Sequence, residues 1–306
     1  MKELSVGRIS VFLRFTRIRF IPVMLAPLAI GIGSAWYLRG SLNPLFVSLV
    51  IIGSIFLHLA ANSIDDVYDF INGVDQVSDK MFPKDFPGWK PMTRGLISVN
   101  EGYAISFIFY SLSLVIGVYL SVVVGWLALI IAVPGIILSY FYAAPPLKLD
   151  YRGFGLGELS ILLSFGPIPS LGAFYVLTGS VSALPFLAGI PAGLLTVNVL
   201  LSHDMIFYDA YRLAGKKSLA VLLGRIRAAQ LSVALGGIAY LSMLTLVAFK
   251  ILPISSLLAL LALPLFLRKA DFKNQELPSP MYGPRTMRMF SHSVLFSLLL
   301  TLGLLL

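Results

Sequence analysis

The chain contains no cysteine and few charged residues. Without cysteine it has neither a disulfide framework nor a thiolate for catalysis or metal binding. Only 12% of its 306 residues are charged and 58% are hydrophobic, whereas soluble domains carry roughly 25% charged residues. This composition excludes an ordinary soluble enzyme and indicates a membrane protein.

Long apolar runs predict an all-α, multi-span membrane bundle. A spanning helix needs about 20 mostly apolar residues. Nine runs approach that length: 15–38, 44–64, 103–121, 124–142, 157–177, 184–203, 228–248, 251–268 and 288–306. No repeat or linker divides them, so we expect residues 1–306 to form a single transmembrane domain. The first run carries arginines and lacks a convincing cleavage site, so we interpret it as a retained helix.

The charges of the connecting loops are asymmetric. With nine spans, every lysine and arginine except Arg39 and Lys250 falls on the side of the N-terminus. Positive loops mark the cytoplasmic face, which predicts a cytoplasmic N-terminus and explains the net charge of +9 without nucleic acid. All fourteen acidic residues fall on this side as well, which the rule does not require. We therefore expect an integral plasma-membrane protein whose active site faces the cytoplasm.

A first acidic cluster ends the second span, in "HLAANSIDDVYD". Asn62, Asp65, Asp66 and Asp69 stand at positions i, i+3, i+4 and i+7, which is one face of a helix. Carboxylates this close repel one another, and a divalent cation relieves the repulsion. Mg²⁺ is typically held by one or two carboxylates and substrate phosphates. The stretch therefore predicts a magnesium site, and a solvated helix end is the alternative.

Two further segments on the same face carry polar residues. "SHDMIFYDAYRLAGKKS" supplies Asp204 and Asp209, and "SYFYAAPPLKLDYRGFGLGEL" supplies Lys148 and Arg152. Two acidic clusters suggest two metal ions around a diphosphate, with basic residues neutralising the remaining charge. The loop cations fit equally well as the positive charge that topology requires, and interfacial tyrosines are usually belt residues.

Together these segments resemble the UbiA family of membrane prenyltransferases, most closely its branch acting on 1,4-dihydroxy-2-naphthoate in menaquinone synthesis. "NSIDDVYDFINGVD" is similar to the branch's "NxxNDxxD…GxD", and the family's order continues in "PMTRGLIS", "APPLKLDYRGFGLGEL…FGPIP" and "AGKKSLAVLLG". The resemblance covers residues 19–224. It implies nine helices, Mg²⁺ as cofactor, an isoprenyl diphosphate donor, a small aromatic acceptor and contact with membrane lipid.

The resemblance also implies roles for individual residues. The metal ligands it implies are Asp65, Asp69, Asp204 and Asp209. The diphosphate-binding residues are Asn62, Arg19, Lys148 and Arg152. The base that takes the ring proton of the acceptor is Asp66, Tyr140 or His203, with no choice made among them.

The second acidic motif departs from the family pattern. The family has "DxxxD", but counting back from Gly215 places Phe207 and Tyr211 at those positions. The acids present, Asp204 and Asp209, are five residues apart, which is about 140° on a regular helix. Either this segment is not helical, or only one acid faces the site.

Other functions remain open at this stage. Within the family the acceptor is alternatively 4-hydroxybenzoate, homogentisate or a glycerol-phosphate ether lipid. A cation-coupled transporter is the alternative from another class, but it needs ionisable residues near the bilayer midplane, and the acids here gather at one edge. A lipid-binding scaffold gives no reason for "NSIDDVYD". The sequence fixes neither the donor's chain length nor the oligomeric state.

Overall fold

The computed structural model describes residues 7–83, 86–267 and 282–306, and these ranges are helical, without strands. In chain order the helices are α1 (Arg8–Phe15), α2 (Ile21–Arg39), α3 (Pro44–Ile71), α4 (Val74–Met81), α5 (Val99–Val124), α6 (Leu127–Phe141), α7 (Leu149–Arg152), α8 (Leu156–Ser164), α9 (Pro167–Thr178), α10 (Ala183–Ile206), α11 (Tyr208–Leu213), α12 (Leu219–Leu223), α13 (Arg225–Ala248), α14 (Leu263–Phe266) and α15 (Gly283–Leu305). Two 3₁₀ segments, Ile18–Phe20 and Ile254–Ala262, precede α2 and α14. The all-α prediction is confirmed.

Seven helical stretches in the described ranges are long and apolar enough to cross a bilayer. They are Ile18–Arg39, Pro44–Ile71, Val99–Val124, Leu156–Thr178, Ala183–Ile206, Arg225–Ala248 and Gly283–Leu305. The other two predicted spans coincide with shorter apolar stretches, α6 and Ile254–Phe266, and residue 268 lies outside the described ranges. At 1.5 Å per residue α6 is about 22 Å long, less than the roughly 30 Å of hydrocarbon. The count of nine and the cytoplasmic N-terminus stay predictions.

Local signals in the sequence set the helix ends that shape the site. The side chain of Asn43 accepts a hydrogen bond from the Leu45 amide at 2.9 Å, and α3 then begins at Pro44. Ser98 and Glu101 form a reciprocal capping box at the start of α5, an arrangement that satisfies two amides with no helical partner. Helix α3 continues past residue 64, its predicted end, so the acidic stripe lies on its last two turns.

Close packing joins helices that are far apart in the chain. Helices α10, α13 and α15 share an apolar core with α2, and α2 also packs against α9 and α3. A Cβ added at Gly166, where α8 gives way to α9, would lie 2.6 Å from the carbonyl oxygen of Gly189 on α10. Only small residues allow backbones to approach this closely, as is common between membrane helices.

The two ends of the bundle differ. The guanidinium of Arg39 at the end of α2 donates to the Thr178 carbonyl at the end of α9, at 3.1 Å, so these helix ends lie together. Helix α3 starts after the short turn that follows Arg39 and runs back across the bundle. Its acidic C-terminal turns therefore lie at the opposite end of the bundle.

Candidate active site

The first acidic motif forms the last two turns of α3. Asp66 and Asp69 are only 2% and 3% exposed, and the unbroken helix from Pro44 to Ile71 confirms that the acids share a face with Asn62. Gly73 then adopts a left-handed φ of 80°, a conformation that glycine takes at little cost. The chain reverses there into α4, which brings the buried carboxylate of Asp75 to the same region.

Two cations from other parts of the chain bind these acids. Arg17, in the turn between α1 and the first 3₁₀ segment, contacts Asp66 and lies 3.1 Å from Asp65 Oδ2. The Lys90 ammonium lies 2.5 Å from Asp66 Oδ1 and 3.8 Å from Asp75 Oδ1. Burial acts to lower the pKa of Arg17, but the Asp66 and Asp65 carboxylates outweigh it and raise that pKa. Both cations therefore remain charged beside the motif.

A third cation, Lys216, is buried in the loop after α11. Its Nζ lies 2.5 Å from Asp150 Oδ2 and 3.5 Å from Asp69 Oδ1. Burial acts to lower the pKa of Lys216, but Asp150 and Asp69 outweigh it, and the net effect raises the pKa well above its usual value. The hydroxyl of Tyr151 donates to Asp69. Lys216 and Tyr151 thus tie the first acidic motif to the loop that carries Asp150.

The second acidic motif divides between two environments. Asp204 is 1% exposed near the end of α10, and its Oδ1 lies 3.5 Å from Nδ1 of His203. Helix α10 ends at Ile206, and Asp209 lies on α11, where its 44%-exposed side chain pairs with Arg225 at 2.6 Å. Both alternatives left open by the spacing hold in part: the helix is interrupted at Phe207, and Asp204 is buried whereas Asp209 is exposed. The structure does not bring Asp209 to the cluster.

The remaining predicted phosphate ligands lie at the rim or beyond it. Lys148 Nζ donates to Asn72 Oδ1 at 2.7 Å, at the end of α3. Arg152 is exposed and donates to the carbonyls of Pro146 and Leu147, each at 2.7 Å. Arg19 is exposed as well, with its guanidinium 4.9 Å from the centre of the ring of Phe20. Of these three, only Lys148 is brought next to the acidic stripe.

Two predicted residues connect the acids to the apolar interior. The Asn62 amide nitrogen lies 2.8 Å from the carbonyl oxygen of His58 and 3.1 Å from its Nε2. The His58 ring packs edge-on against Phe165. Tyr140 lies in an aromatic group at the end of α6, where its hydroxyl is 3.4 Å from that of Tyr68.

An apolar cavity begins at this point. Its volume is about 160 Å³, and it lies between α2, α3, α5, α6, α8 and α9. His58, Ala61 and Ser139 line it near the acids, and Leu28 and Leu120 line it deeper in the bundle. A charged cluster thus adjoins an apolar space.

The donor set fits a divalent cation that is shared with a phosphate ligand. Among the residues that the structure describes, four buried carboxylate oxygens accept no hydrogen bond: Asp65 Oδ1, Asp75 Oδ2, Asp150 Oδ1 and Asp204 Oδ2. Within the described ranges, no group of three acidic or histidine side chains forms a metal site on its own. Mg²⁺ is usually bound by one or two carboxylates plus substrate phosphates and water, so such a group is not required.

Sequence reasoning missed several members of this cluster. It gave no role to Arg17, Lys90, Asp150 or Tyr151, and left Lys216 equally well explained as loop charge. The signals were weak, since cytoplasmic loops are rich in cations. The best clue was that Lys90, Asp150 and Lys216 lie in or beside the stretches that carry the family resemblance.

Comparison with known proteins agrees with this geometry. The model of the UbiA prenyltransferase family matches residues 24–300. The chain is 27% identical to 1,4-dihydroxy-2-naphthoate octaprenyltransferase of Escherichia coli, over 99% of this chain and 98% of that protein. It is 25% identical to the Bacillus subtilis protein of the same name, over 74% of this chain and 69% of that protein.

A solved structure shares the fold. The UbiA homologue from Archaeoglobus fulgidus bound to DMAPP and Mg²⁺ is 18% identical, with a TM-score of 0.62, over 95% of this chain and 99% of that one. The family match spans nearly the whole helical bundle, including both acidic segments and the residues that line the cavity. The chain belongs to the UbiA prenyltransferase family and is an intramembrane prenyltransferase.

Proposed function

We propose that this enzyme transfers the isoprenyl group of a polyprenyl diphosphate to 1,4-dihydroxy-2-naphthoate, in quinone biosynthesis. The observation that carries the proposal is the buried acid–base cluster at the mouth of the apolar cavity. A prenyl diphosphate has a charged headgroup and a hydrocarbon tail, and ligand sites combine apolar walls with a few polar groups in this way. The headgroup would lie among the acids and the tail in the cavity.

Three cations would bind the headgroup: Lys216, which is buried, and Arg17 and Lys90, which are half-buried. Arg17, Lys90 and Lys216 are held near one another by the carboxylates they contact. Charge-assisted hydrogen bonds to phosphate are among the strongest in proteins, so the diphosphate would compete with the carboxylates for these groups. Lys148 and Asn62 at the rim would complete the contacts.

Asp65, Asp69 and Asp204 would hold Mg²⁺ together with the diphosphate oxygens. When bound, the metal neutralises the leaving diphosphate and so favours cleavage of the allylic C–O bond. The Tyr151 hydroxyl fixes the carboxylate of Asp69. The structure of the Archaeoglobus fulgidus homologue, described with both DMAPP and Mg²⁺, supports this arrangement.

Aromatic side chains would stabilise the positive charge that develops on the allylic carbon. Tyr68, Tyr103, Phe107 and Tyr140 pack with ring centres about 6 Å apart beside the cavity mouth. The faces of such rings attract cations, most strongly where water is excluded.

Among the three candidate bases, the geometry favours His203. Asp66 is engaged by Arg17 and Lys90, and the Tyr140 hydroxyl faces that of Tyr68. His203 directs Nδ1 toward Asp204, which leaves Nε2 to accept a proton from the acceptor. A base oriented by a carboxylate is the arrangement that general-base catalysis uses.

The naphthoate acceptor and the location of the enzyme rest on the relatives and the loop charges. Two bacterial relatives carry the name of the octaprenyltransferase that uses 1,4-dihydroxy-2-naphthoate. The asymmetry of lysine and arginine favours a plasma-membrane protein with its active site on the cytoplasmic face.

The experiment is an acceptor panel. Purified protein in lipid nanodiscs receives a prenyl diphosphate and, separately, 1,4-dihydroxy-2-naphthoate, 4-hydroxybenzoate, homogentisate or a glycerol-phosphate ether, with Mg²⁺ or with EDTA. We expect a prenylated naphthoate product by mass spectrometry only with Mg²⁺. Product with another acceptor alone would reject the naphthoate assignment, and transfer in EDTA would reject the role of the metal.

A further inference from the structure

The buried ammonium group of Lys216 has two neighbours that bear on the second acidic motif. One is Asp150, an acid without a role so far, and the other is Tyr211. Lys216 Nζ lies 2.5 Å from Asp150 Oδ2 and 4.4 Å from the ring centre of Tyr211. Tyr211 occupies the position where the second acid of the "DxxxD" pattern is expected. The carboxylate of Asp150 therefore lies close to where the second acid of the motif would lie, although Asp150 belongs to α7.

We propose that Asp150 and Asp204 form the second carboxylate pair for the divalent cation, in place of Asp209. The inference rests on the proposed function, because it assigns a further residue to the diphosphate site. Asp209 pairs with Arg225 and is 44% exposed, so the second motif supplies one buried acid only. Asp150 supplies the other.

The fold holds Asp150 in place from several sides. Its backbone amide donates to the Tyr142 carbonyl at 3.0 Å, and α7 is a single turn that starts after Lys148 in a left-handed conformation. A Cβ added at Gly157 would lie 2.9 Å from Asp150 Oδ1. Any side chain at position 157 would therefore displace the carboxylate, and glycine there lets Asp150 pack directly against α8.

The two carboxylates have unmet bonding capacity. Asp150 is 2% exposed and Asp204 is 1% exposed, and Asp150 Oδ1 and Asp204 Oδ2 accept no hydrogen bond. Burial raises the pKa of Asp150 to about 6; Lys216 opposes the rise, and the nearby Asp204 carboxylate adds to it. A buried oxygen without a hydrogen-bond partner is costly, and a divalent cation bound to Asp150 Oδ1 and Asp204 Oδ2 would offset that cost.

The test measures metal binding without turnover. Mn²⁺ is the probe, since it accepts the same oxygen ligands as Mg²⁺, and a thiolodiphosphate analogue of the donor prevents reaction. Electron paramagnetic resonance gives the Mn²⁺ affinity of the purified full-length protein with the analogue bound. We expect Asp150→Asn to weaken Mn²⁺ binding about tenfold or more and the matched variant Asp209→Asn to leave it unchanged.

Each outcome bears on one of the two proposals. Unchanged Mn²⁺ affinity in Asp150→Asn, or an equal loss in Asp209→Asn, overturns the inference and leaves the proposed function standing. If the wild-type protein with the analogue binds no Mn²⁺, the proposed function fails and the inference fails with it.

A second pair of variants separates a metal ligand from a mere counter-ion of Lys216. Lys216→Met keeps the carboxylate of Asp150, so we expect Mn²⁺ binding to be retained at saturating analogue, although the analogue itself binds more weakly. Asp150→Glu also keeps a carboxylate and should retain most of the affinity. Thermal unfolding in detergent reports whether each variant is folded. If Asp150→Asn does not fold, the other two variants decide. Loss of Mn²⁺ binding in both Lys216→Met and Asp150→Glu overturns the inference, and retained Mn²⁺ binding in both supports it.

Discussion

Lys90 Nζ lies 2.5 Å from Asp66 Oδ1, which joins the loop between α4 and α5 to the acidic end of α3. The neighbouring Trp89 ring stacks with two guanidinium groups, those of Arg14 and Arg94, which lie 4.2 Å and 4.1 Å from its centre. These stacked side chains fix the part of the loop that carries Lys90. The cation is thereby held over the acids before any substrate arrives.

We predict that Lys90→Met raises the KM for the prenyl diphosphate about tenfold or more, because a hydrogen bond to a charged group contributes about 1.5–3 kcal/mol. Steady-state kinetics at saturating Mg²⁺ provide the measurement. Lys80→Met, an exposed lysine on α4, is the matched control. An unchanged KM in Lys90→Met would show that Lys90 does not bind the headgroup. Lys90→Arg, which keeps the positive charge, should have a KM near the wild-type value.

Asp69→Ala should abolish Mg²⁺-dependent transfer, with a loss in rate on the order of 10²–10³-fold, as for the removal of other groups that stabilise transition-state charge. Asp69 contacts Tyr151 and Lys216, so the variant also loosens two groups of the site. Product formation is compared with that of Asp79→Ala, an exposed acid on α4. Full activity in folded Asp69→Ala protein would take the first motif out of the mechanism.

The fold and the first motif were predictable because their signals are local. A run of about 20 apolar residues almost always forms a membrane helix. The i, i+3, i+4, i+7 spacing of Asn62, Asp65, Asp66 and Asp69 by itself places them on one face of a helix. The end of α3 was harder to place. Hydropathy falls at residue 64, yet the helix continues because its acids are paired by cations that lie far away in sequence.

These ion pairs between residues far apart in the chain could not be predicted from the sequence. Asp150 meets Lys216 across 66 residues of chain, and no spacing rule connects them. The family resemblance implies Asp209 as a metal ligand together with Asp204, but a break at Phe207 separates the two. Which cation in a basic loop turns inward depends on tertiary packing, and this is why Arg17 and Lys90 could not be told from ordinary loop charge.

His203→Gln should lower kcat about 100-fold, within the range for general acid–base groups, while the KM for the donor stays near the wild-type value. His203 contacts Asp204 but none of the three headgroup cations. A pH profile of kcat provides a second readout, because loss of the base removes its limb of the profile. A variant with normal kcat would return the assignment to Asp66 or Tyr140.

The stability of the metal-free protein should fall as the pH rises from 7 to 9. Burial raises the pKa of Asp75 to about 8, above its value in the unfolded chain, so the folded state binds the proton more tightly. Protonated Asp75 contributes its full share of the free energy of unfolding at low pH, and this share is lost as the pH rises through 8. Between pH 7 and 9 the loss is about 1–2 kcal/mol. Thermal unfolding in EDTA measures the effect, and Asp75→Asn should flatten the curve. An equally steep curve in the variant would assign the effect to another group.

The cavity should limit the length of the donor's tail, and two glycines allow a matched test. A Cβ added at Gly117 on α5 or at Gly237 on α13 meets no atom within 4 Å, so both sites accept a side chain without a clash. Only Gly117 lines the cavity. Gly117→Leu should therefore lower kcat/KM for long-chain donors by about tenfold or more, the effect of a few misplaced methylene groups, and leave geranyl diphosphate little affected. Gly237→Leu should preserve the wild-type preference. If competition between short and long donors gives the same product ratio in both variants, the tail does not pass Gly117.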